Sequence, residues 1–342
     1  MSSPSEQTVL ITGSTGYVGS HILKLILEKG YNVRLPVRSD SSADGVRTKF
    51  LQHESQLSFS IVGDITKPEL FKDAFANTAK PITAVIHSAA PFVLDVKDMR
   101  KDLLDPIIGG SVAILEAVKK YGPDVKRVVN TSSFAANLDI NKGARPGYTY
   151  SEADWNPMTY EEASEADAAS AYCAAKGLGE KAMWDWMEAE KPAFSLVSVN
   201  PPWVFGPHVG GVRDTKKLNE SSHALYSLLG AKEIPPVDFC GYVDSRTIAQ
   251  AHIAALEKEE AAGQRFLVGS HFDYQSAVDA LRKELPELAS RLPLGTPGKG
   301  PETYELDGSK AERVLGIKYI PLNETLRDSF LQFLETDNKA AA

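Results

Sequence analysis

Two side chains near the middle of the sequence have the types and the spacing needed to move a proton. Tyr172 and Lys176 are four residues apart in a stretch with helical periodicity, which predicts that both lie on one face of a helix. A tyrosine with a pKa of about 10 is a poor proton shuttle at neutral pH, and a neighbouring ammonium lowers that pKa by stabilising the phenolate. The pair therefore predicts acid–base chemistry.

A pair of serines can supply a hydrogen-bond donor to the same chemistry. Ser132 and Ser133 directly follow the predicted strand Lys126–Thr131, upstream of Tyr172. Open α/β sheets bind their ligands at the carboxyl ends of the strands, where such residues lie. We therefore expect the serines and the Tyr172–Lys176 pair to meet at one edge of a sheet.

A glycine-rich turn lies near the start of the chain. Gly13, Gly16 and Gly19 follow the predicted strand Thr8–Thr12 and open the predicted helix Gly16–Glu28. Glycines permit a tight turn and a close approach of backbone to a pyrophosphate, and a helix N-terminus offers unpaired N–H groups. The spacing has one residue more between the first two glycines than G-x-G-x-x-G. The turn predicts a dinucleotide phosphate site, and an ordinary strand-to-helix turn is the alternative.

The end of the second predicted strand indicates which dinucleotide is bound. Arg38 follows the strand Asn32–Val37, and no Asp or Glu ends that strand to bind the adenosine ribose hydroxyl of NAD. An arginine presents a planar fork suited to the 2'-phosphate of NADP. The missing acid and Arg38 together predict NADPH/NADP as the cofactor.

The elements that must position these residues alternate between strand and helix. This alternation predicts an α/β fold class, a Rossmann-type doubly wound parallel sheet with helices on both faces. The predicted strands are Thr8–Thr12, Asn32–Val37, Phe59–Val62, Ala84–Ser88, Lys126–Thr131 and Phe194–Val199, and the predicted helices are Gly16–Glu28, Pro106–Tyr121 and Ala169–Glu190.

The regular alternation ends near residue 200, so two domains are expected. Residues 1–200 are predicted to be the NADP-binding Rossmann domain. Residues 201–342 are predicted to be mainly a smaller C-terminal α/β annex that binds substrate, with the chain crossing back to the first domain near residues 234–258. The elements predicted there are the strands Gly241–Val243 and Arg265–Val268 and the helices Thr215–Leu229, Ser245–Glu257, Tyr274–Glu284, Ser309–Leu315 and Glu324–Leu334.

Composition argues against several classes of protein. Of the 342 residues, 43% are hydrophobic and 24% are charged, which is typical of a globular protein, and no apolar stretch has the roughly 18 residues of a membrane span. The net charge of -8, without a run of Lys or Arg, argues against a nucleic-acid partner. Cys173 and Cys240 are too few for a disulfide framework, and the histidines show no metal-ligand spacing. Together with the polar N-terminal residues, these features predict a cytoplasmic protein without a metal.

Taken together, the motifs resemble those of the extended short-chain dehydrogenase/reductase family over nearly the whole chain. Four further stretches carry the resemblance: Ile86–Phe92, Asn130–Phe134, Asn200–Pro207 and Gly241–His252. Within the family, the sequence is most similar to fungal NADPH-dependent methylglyoxal and aldehyde reductases, relatives of plant dihydroflavonol and cinnamoyl-CoA reductases. The resemblance implies reversible hydride transfer between a nicotinamide and an aldehyde or ketone.

The resemblance also implies roles for individual residues. The catalytic set would be Ser133, Tyr172 and Lys176, because Ser133 is the second serine of its pair. Tyr172 would protonate the carbonyl oxygen, Ser133 would donate it a hydrogen bond, and Lys176 would hold the nicotinamide ribose. The implied cofactor contacts are Gly13, Ser14, Thr15, Gly16, Tyr17, Val18, Gly19, Arg38, Asp64, Ile65, Tyr172, Lys176, Pro201, Val204 and Ser221. The expected apolar walls of the substrate pocket are Phe92, Phe134 and Trp203.

The sequence departs from the family pattern in two places. Where relatives can have a lysine a few residues after the arginine, residues 40–42 are Asp-Ser-Ser, which predicts weaker phosphate binding. Arg34 and Arg47 are other cations that could fold toward this position. The second acid that relatives usually have after Asp244 is Thr247 here, a change expected to affect packing only.

Two other functions remain open on the sequence alone. A sugar-nucleotide epimerase or dehydratase needs an added acid and base near the carbonyl, but Ser133 is followed by Phe134-Ala-Ala136, with no acidic pair. A regulatory protein that binds NADP without turnover has no need for Ser133, Tyr172 and Lys176 together. The sequence therefore favours a reductase of a small-molecule carbonyl substrate, acting as a monomer or homodimer without nucleic-acid or membrane partners.

Overall fold

Strands and helices alternate along the first two thirds of the chain. The computed structural model describes residues 3–90, 96–236 and 238–341. The strands are β1 Thr8–Thr12, β2 Asn32–Val37, β3 Leu57–Ile61, β4 Ile82–His87, β5 Arg127–Thr131, β6 Thr149–Tyr150, β7 Ser195–Asn200, β8 Trp203–Phe205, β9 Gly241–Asp244, β10 Arg265–Leu267, β11 Ser270–His271 and β12 Glu305–Leu306. The helices are α1 Tyr17–Glu28, α2 Asp40–Lys49, α3 Asp105–Tyr121, α4 Tyr160–Glu165, α5 Ala168–Glu190, α6 Glu220–Tyr226, α7 Ser245–Glu257, α8 Tyr274–Glu284, α9 Ser309–Leu315 and α10 Leu322–Ala341.

The large sheet is parallel throughout. In the described residues it has seven strands in the order β10-β7-β5-β4-β1-β2-β3. The chain winds from β1 outward to β3 and then crosses back to β4 on the other side of β1. The connections after β1 and β4 therefore diverge, which opens a crevice at the carboxyl ends of these strands. This topology confirms the predicted doubly wound fold.

Helices cover both faces of this sheet, because alternate strand residues point to opposite sides. In β1, Val9 and Ile11 belong to the core that includes α1 and α7, whereas Leu10 belongs to the core that includes α3 and α5. Every residue of β1 is buried, as expected for a central parallel strand. Within the described ranges, every helix is too short or too polar to cross a bilayer.

The annex has its own core. Strands β11, β9 and β8 form a small sheet, and α6, α8 and α10 contribute to the apolar cluster around Phe205, Phe272 and Phe330. After residue 200 the chain nevertheless returns to the large domain, because α7 packs against α1 and β10 pairs with β7. We predicted that the chain crosses back to the large domain near residues 234–258. This range includes α7, whereas β10 lies after it.

Some elements differ from the prediction. The predicted helix Thr215–Leu229 is a short 3-10 turn at residues 215–217 followed by α6, because Leu218 and the cap residue Asn219 are extended. Helix α2 was missed since only Ala43 and Val46 of its polar sequence are buried. Helix α4 was missed as well, and α10 extends past its predicted end at Leu334.

The segment after β8 connects the annex to α1. Tyr17 and His21 of α1 each donate a side-chain hydrogen bond to a carbonyl of residues 206–208, at 2.7 and 2.8 Å. From α10, the amide of Gln332 binds both the N–H and the carbonyl of His208, at 2.7 and 3.1 Å. The backbone of residues 206–208 therefore joins the first helix of the large domain to the last helix of the annex.

A buried carboxylate joins α7 to α10. The Asp244 side chain, which is 0% exposed, accepts hydrogen bonds from the N–H of Arg246, from its guanidinium and from the hydroxyl of Thr325. The Arg246 guanidinium also pairs with Asp328 of α10 at 2.7 Å. The buried Thr247 donates a hydrogen bond from its hydroxyl to the carbonyl of Lys318 at 3.3 Å.

We predict that Asp244→Ala lowers the free energy of unfolding by about 3 kcal/mol, because it leaves Arg246 half-buried beside an emptied site and removes the cap of α7. Urea denaturation followed by circular dichroism measures this change. Asp44→Ala removes a carboxylate that pairs with Arg47 on the surface, where it is 70% exposed, and should have almost no effect. Equal losses in the two variants would contradict the assignment.

Candidate active site

The glycine-rich turn lies against the chain that follows β4. Gly13 has a φ of +72°, and a Cβ atom added to it would be 2.6 Å from the backbone nitrogen of Ala89. A Cβ atom on Gly19 would be 2.1 Å from the carbonyl oxygen of Gly13. Side chains at these two positions would displace the backbone, so glycine is needed for α1 to begin this close to the crevice.

The turn has the donors that a phosphate group requires. The cap residue of α1 is the exposed Gly16, which has no side chain to bind the N–H groups of the first turn. The Ser14 hydroxyl is buried and has no hydrogen-bond partner among the residues that the structure describes. Such donors at a helix N-terminus suit the pyrophosphate of a dinucleotide. Tyr17 can offer only its backbone, because its hydroxyl is bound to Gly206.

Arg38 lies at the carboxyl end of β2. It is exposed, and it forms no ion pair with any described residue. The two other predicted cations are directed elsewhere, which corrects that expectation: Arg34 donates to the carbonyl of Asp73 at 2.8 Å, and Arg47 pairs with Asp44 at 2.7 Å. Arg38 is therefore the arginine of this region that remains available to a 2'-phosphate.

The predicted contacts after β3 lie beside the crevice. The Asp64 carboxylate accepts hydrogen bonds from the N–H and the hydroxyl of Thr66, at 2.9 and 2.7 Å, and these bonds lower the pKa of Asp64. Ile65 lines a cleft together with Lys176, and its side chain is near Gly110 of α3. Asp64 is thus ionised, and it directly precedes Ile65, which lines the cleft.

The predicted contacts after β7 are less available to a ligand. Val204 is buried in the core between the sheet and α7, so it can offer only backbone. The carbonyl of Pro201 accepts a hydrogen bond from the N–H of Phe134 at 2.8 Å. Ser221 lies half-buried on α6 in the annex.

The structure brings the predicted catalytic segments together at the end of β5. The Lys176 ammonium donates to the carbonyl of Thr131 at 3.4 Å, two residues before Ser133. Helix α5 packs against the turn after Ser133, since a Cβ atom on Gly177 would be 3.6 Å from the Cα of Ala136. The Ser133 hydroxyl accepts a hydrogen bond from the N–H of residue 135 at 3.1 Å. Its own proton therefore remains available for a carbonyl oxygen.

Burial controls the charges of the site. It lowers the pKa of Lys176 to about 8, an effect that Glu180 opposes, and it raises the pKa of Tyr172 to about 12. We expected Lys176 to lower the pKa of Tyr172, but burial raises that pKa instead, and Cys173 adds to the rise. His87, which lines the same cleft, has its pKa lowered to about 3 by burial, so it is neutral.

Sequence reasoning missed a buried ion pair beneath these residues. Glu180, four residues after Lys176 on α5, pairs with Arg265 of β10 at 2.7 Å. The same carboxylate accepts from the Ser132 hydroxyl at 2.6 Å and from the Asn200 amide at 2.7 Å. The four-residue spacing continues from Tyr172 through Lys176 to Glu180, and this spacing was the available signal.

The apolar side of the site is only partly as predicted. Trp203 is half-buried, its ring contacts Phe239 at 5.7 Å, and its indole N–H donates to Asp238 at 3.1 Å. Phe134 is fully buried among aromatic rings, so it supports the pocket rather than lining it, contrary to the prediction. Phe239, which the sequence analysis did not single out, contacts the rings of both Phe134 and Trp203, and Phe92 lies outside the described residues.

Comparison with known proteins decides the family. Residues 9–269 match the NAD dependent epimerase/dehydratase family. The chain belongs to this family, the extended short-chain dehydrogenases/reductases. It is 36% identical to the NADPH-dependent methylglyoxal reductase GRE2 of Saccharomyces cerevisiae, over 97% of this chain and 99% of that protein. It is also 37% identical to the ketoreductase azaE of Aspergillus niger, over 96% and 97% of the two chains.

A solved structure of the family agrees in fold. The crystal structure of yeast methylglyoxal/isovaleraldehyde reductase Gre2 complexed with NADPH covers 97% of this chain and 99% of its own, with a TM-score of 0.90 and 35% identity. The extended short-chain dehydrogenase/reductase fold therefore includes the annex as well as the large sheet.

We predict that Gly13→Ala weakens NADPH binding by about tenfold or more, because the new Cβ displaces the turn from the chain after β4. Fluorescence titration with NADPH measures the dissociation constant. Gly30→Ala is the matched control, since Gly30 also has a positive φ, +87°, but has nothing within 4 Å of an added Cβ. If both variants bind NADPH as the wild type does, close approach at Gly13 is not required.

Proposed function

We propose that this chain is an NADPH-dependent reductase of aldehydes and ketones, with methylglyoxal and other small α-dicarbonyl compounds in its substrate class. The observation that carries the proposal is the meeting of the Tyr172–Lys176 helix with the Ser133 turn at the end of β5. The relatives named above as NADPH-dependent methylglyoxal reductase and ketoreductase support the same reaction.

Tyr172, Ser133 and Lys176 each have a separate role in the proposed reduction. NADPH, when bound, supplies the hydride for the carbonyl carbon. As negative charge develops on the carbonyl oxygen, the Tyr172 hydroxyl gives it a proton and the Ser133 hydroxyl donates a hydrogen bond that strengthens with the charge. Lys176 holds the ribose next to the nicotinamide, and its positive charge favours the phenolate that Tyr172 becomes.

The cofactor is held by the elements on either side of the crevice. The Gly13–Gly19 turn would bind the pyrophosphate, Arg38 would bind the 2'-phosphate, and Asp64 and Ile65 would add further contacts to the cofactor. Trp203 and Phe239 form apolar walls on the substrate side, with the Trp203 ring held by Asp238.

An epimerase or dehydratase is less well supported. The positions after Ser133 that would need an acid and a base are Phe134, Ala135 and Ala136, and all three are fully buried. A carboxylate could enter this turn only at a large desolvation cost. A dinucleotide-binding regulator is disfavoured because it has no need for a catalytic tyrosine.

We further propose a cytoplasmic enzyme that acts as a monomer or homodimer. The support is compositional: Cys173 and Cys240 are both free and buried, which suits a reducing compartment. Size-exclusion chromatography with light scattering measures the oligomeric state.

A substrate panel tests the proposed function. Methylglyoxal, aliphatic and aromatic aldehydes and β-keto esters are each mixed with the protein and either NADPH or NADH, and oxidation of the cofactor is followed by absorbance. Reduction of at least one class with NADPH is expected. No oxidation with any of them would contradict the proposal.

We predict that Tyr172→Phe lowers turnover by at least about 100-fold with saturating NADPH while leaving NADPH affinity nearly unchanged, because only the proton donor is removed. Steady-state kinetics and cofactor titration measure the two quantities. Tyr121→Phe, at the opposite end of the sheet, removes the same atom and should keep wild-type turnover. Equal turnover of Tyr172→Phe and wild type would exclude Tyr172 as the acid.

We predict that Arg38→Ala lowers NADPH affinity by about tenfold or more and changes NADH affinity by less than about threefold, because a charged hydrogen bond contributes about 1.5 to 3 kcal/mol. Titrations at low and high salt measure both affinities, and salt should weaken the NADPH preference. Arg47→Ala serves as the control on the same surface. A parallel loss for both cofactors would mean that Arg38 supports the adenosine pocket in general.

A further inference from the structure

Glu180 is buried at the centre of a polar network beneath the site. Its side chain is 0% exposed, and its two oxygens accept hydrogen bonds from Ser132, Asn200, Trp184 and Arg265. A buried carboxylate is costly unless its oxygens are paired, and here these donors meet that requirement. The network is therefore built to keep this carboxylate ionised.

One branch of the network reaches the backbone of Ser133. The Asn200 amide, which donates to Glu180 at 2.7 Å, also donates to the carbonyl of Ser133 at 3.2 Å. Ser132, the neighbouring residue, donates its hydroxyl proton to the same Glu180 oxygen at 2.6 Å. The Glu180 carboxylate thus holds Ser132 directly and the Ser133 backbone through Asn200, and none of these bonds uses the Ser133 hydroxyl.

The other branch is electrostatic and runs along α5. Glu180 lies four residues after Lys176, so both side chains are on one face of the helix, and no carboxylate closer in sequence follows Lys176. Lys176 is half-buried, and its described hydrogen bond is a long one to the carbonyl of Thr131. The negative charge of Glu180 therefore opposes the loss of the Lys176 proton that burial favours.

We propose that Glu180 is a positioning residue of the site, which holds the Ser132–Ser133 backbone in place and keeps Lys176 protonated in the working pH range. The inference rests on the proposed reductase function, because it assumes that reduction needs the Lys176 ammonium. Arg265 has the supporting role of making the buried carboxylate tolerable, and it is itself held by Trp155 and by the carbonyl of Glu152.

Among the described groups around Lys176, it is the one whose pKa lies in the informative pH range. Among the described residues, the titratable groups around it are Tyr172, His87 and His252, with pKa values of about 12, 3 and 4, and Glu180, whose pKa burial raises but its partners, chiefly Arg265, lower overall. The pKa of Lys176 is lowered to about 8. An alkaline limit of activity between pH 7 and 9 therefore reports on Lys176, and activity falls as the pH rises through its pKa.

The test compares two variants that break the same ion pair from opposite sides. Glu180→Gln removes the negative charge, so the alkaline limit of kcat/KM with NADPH should move down by about one pH unit. Arg265→Gln removes the positive charge and leaves the carboxylate, so the limit should stay or move up. Glu188→Gln, an exposed acid on the same helix, should leave the limit unchanged.

A merely structural role gives a different result. Both ion-pair variants would then lose activity equally at all pH values, and this outcome would overturn the proposal, as would an unchanged limit in Glu180→Gln. NADPH dissociation constants measured by fluorescence at pH 6 and pH 8.5 provide a readout without turnover: Glu180→Gln should bind about as well as wild type at pH 6 and several-fold more weakly at pH 8.5.

Folding of the variants is controlled by a double substitution. If Glu180→Gln does not fold, the double variant Glu180→Gln, Arg265→Met removes the unpaired cation and is measured in its place, with the same downward shift expected. A wild-type protein that reduces no carbonyl compound would contradict the proposed function. A wild-type protein that is active, with a pH limit that these substitutions do not move, would contradict only the role of Glu180.

Discussion

The parallel direction of β1, β4, β5 and β7 is the constraint on which the site depends. Because neighbouring parallel strands end at the same edge, the glycine turn, His87, the Ser132–Ser133 pair and Asn200 all come to one edge of the sheet. The crossing between β3 and β4 then decides where along that edge a ligand can enter. Helices α1 and α5 need only pack on opposite faces to bring the proposed phosphate site and the proposed proton donor to the same crevice.

Local patterns in the sequence predicted much of this arrangement. Strands β1 and β2 were predicted with their observed bounds, because turn residues flank each apolar run, and Tyr172–Lys176 is a pattern within one helix. The pairing of Glu180 with Arg265 could not be predicted in this way, since it joins α5 to an edge strand 85 residues later. Phe134 was misplaced for a similar reason: the rings that bury it come from β6, from Phe239 and from Tyr304.

Burial disfavours the two charges that the proposed chemistry needs, the ammonium of Lys176 and the phenolate of Tyr172. Desolvation raises the pKa of Tyr172 and lowers the pKa of Lys176, so it favours the neutral form of each side chain. The fully paired carboxylate of Glu180, one helical turn after Lys176 on α5, opposes this effect at Lys176. In the proposed role of Glu180, its charge offsets the cost that burial imposes on the Lys176 ammonium. Such a balance requires a rigid surrounding, and the Asn200, Ser132 and Arg265 hydrogen bonds provide it.

The hydrogen bonds of residues 206–208 have a mechanical consequence. This segment is attached to Tyr17 and His21 on one side and to Gln332 on the other. An outward swing of the annex to release product must either break these bonds or pull the first turn of α1 with it. With the proposed role of that turn in phosphate binding, any movement of the annex that keeps these bonds would also move the phosphate site.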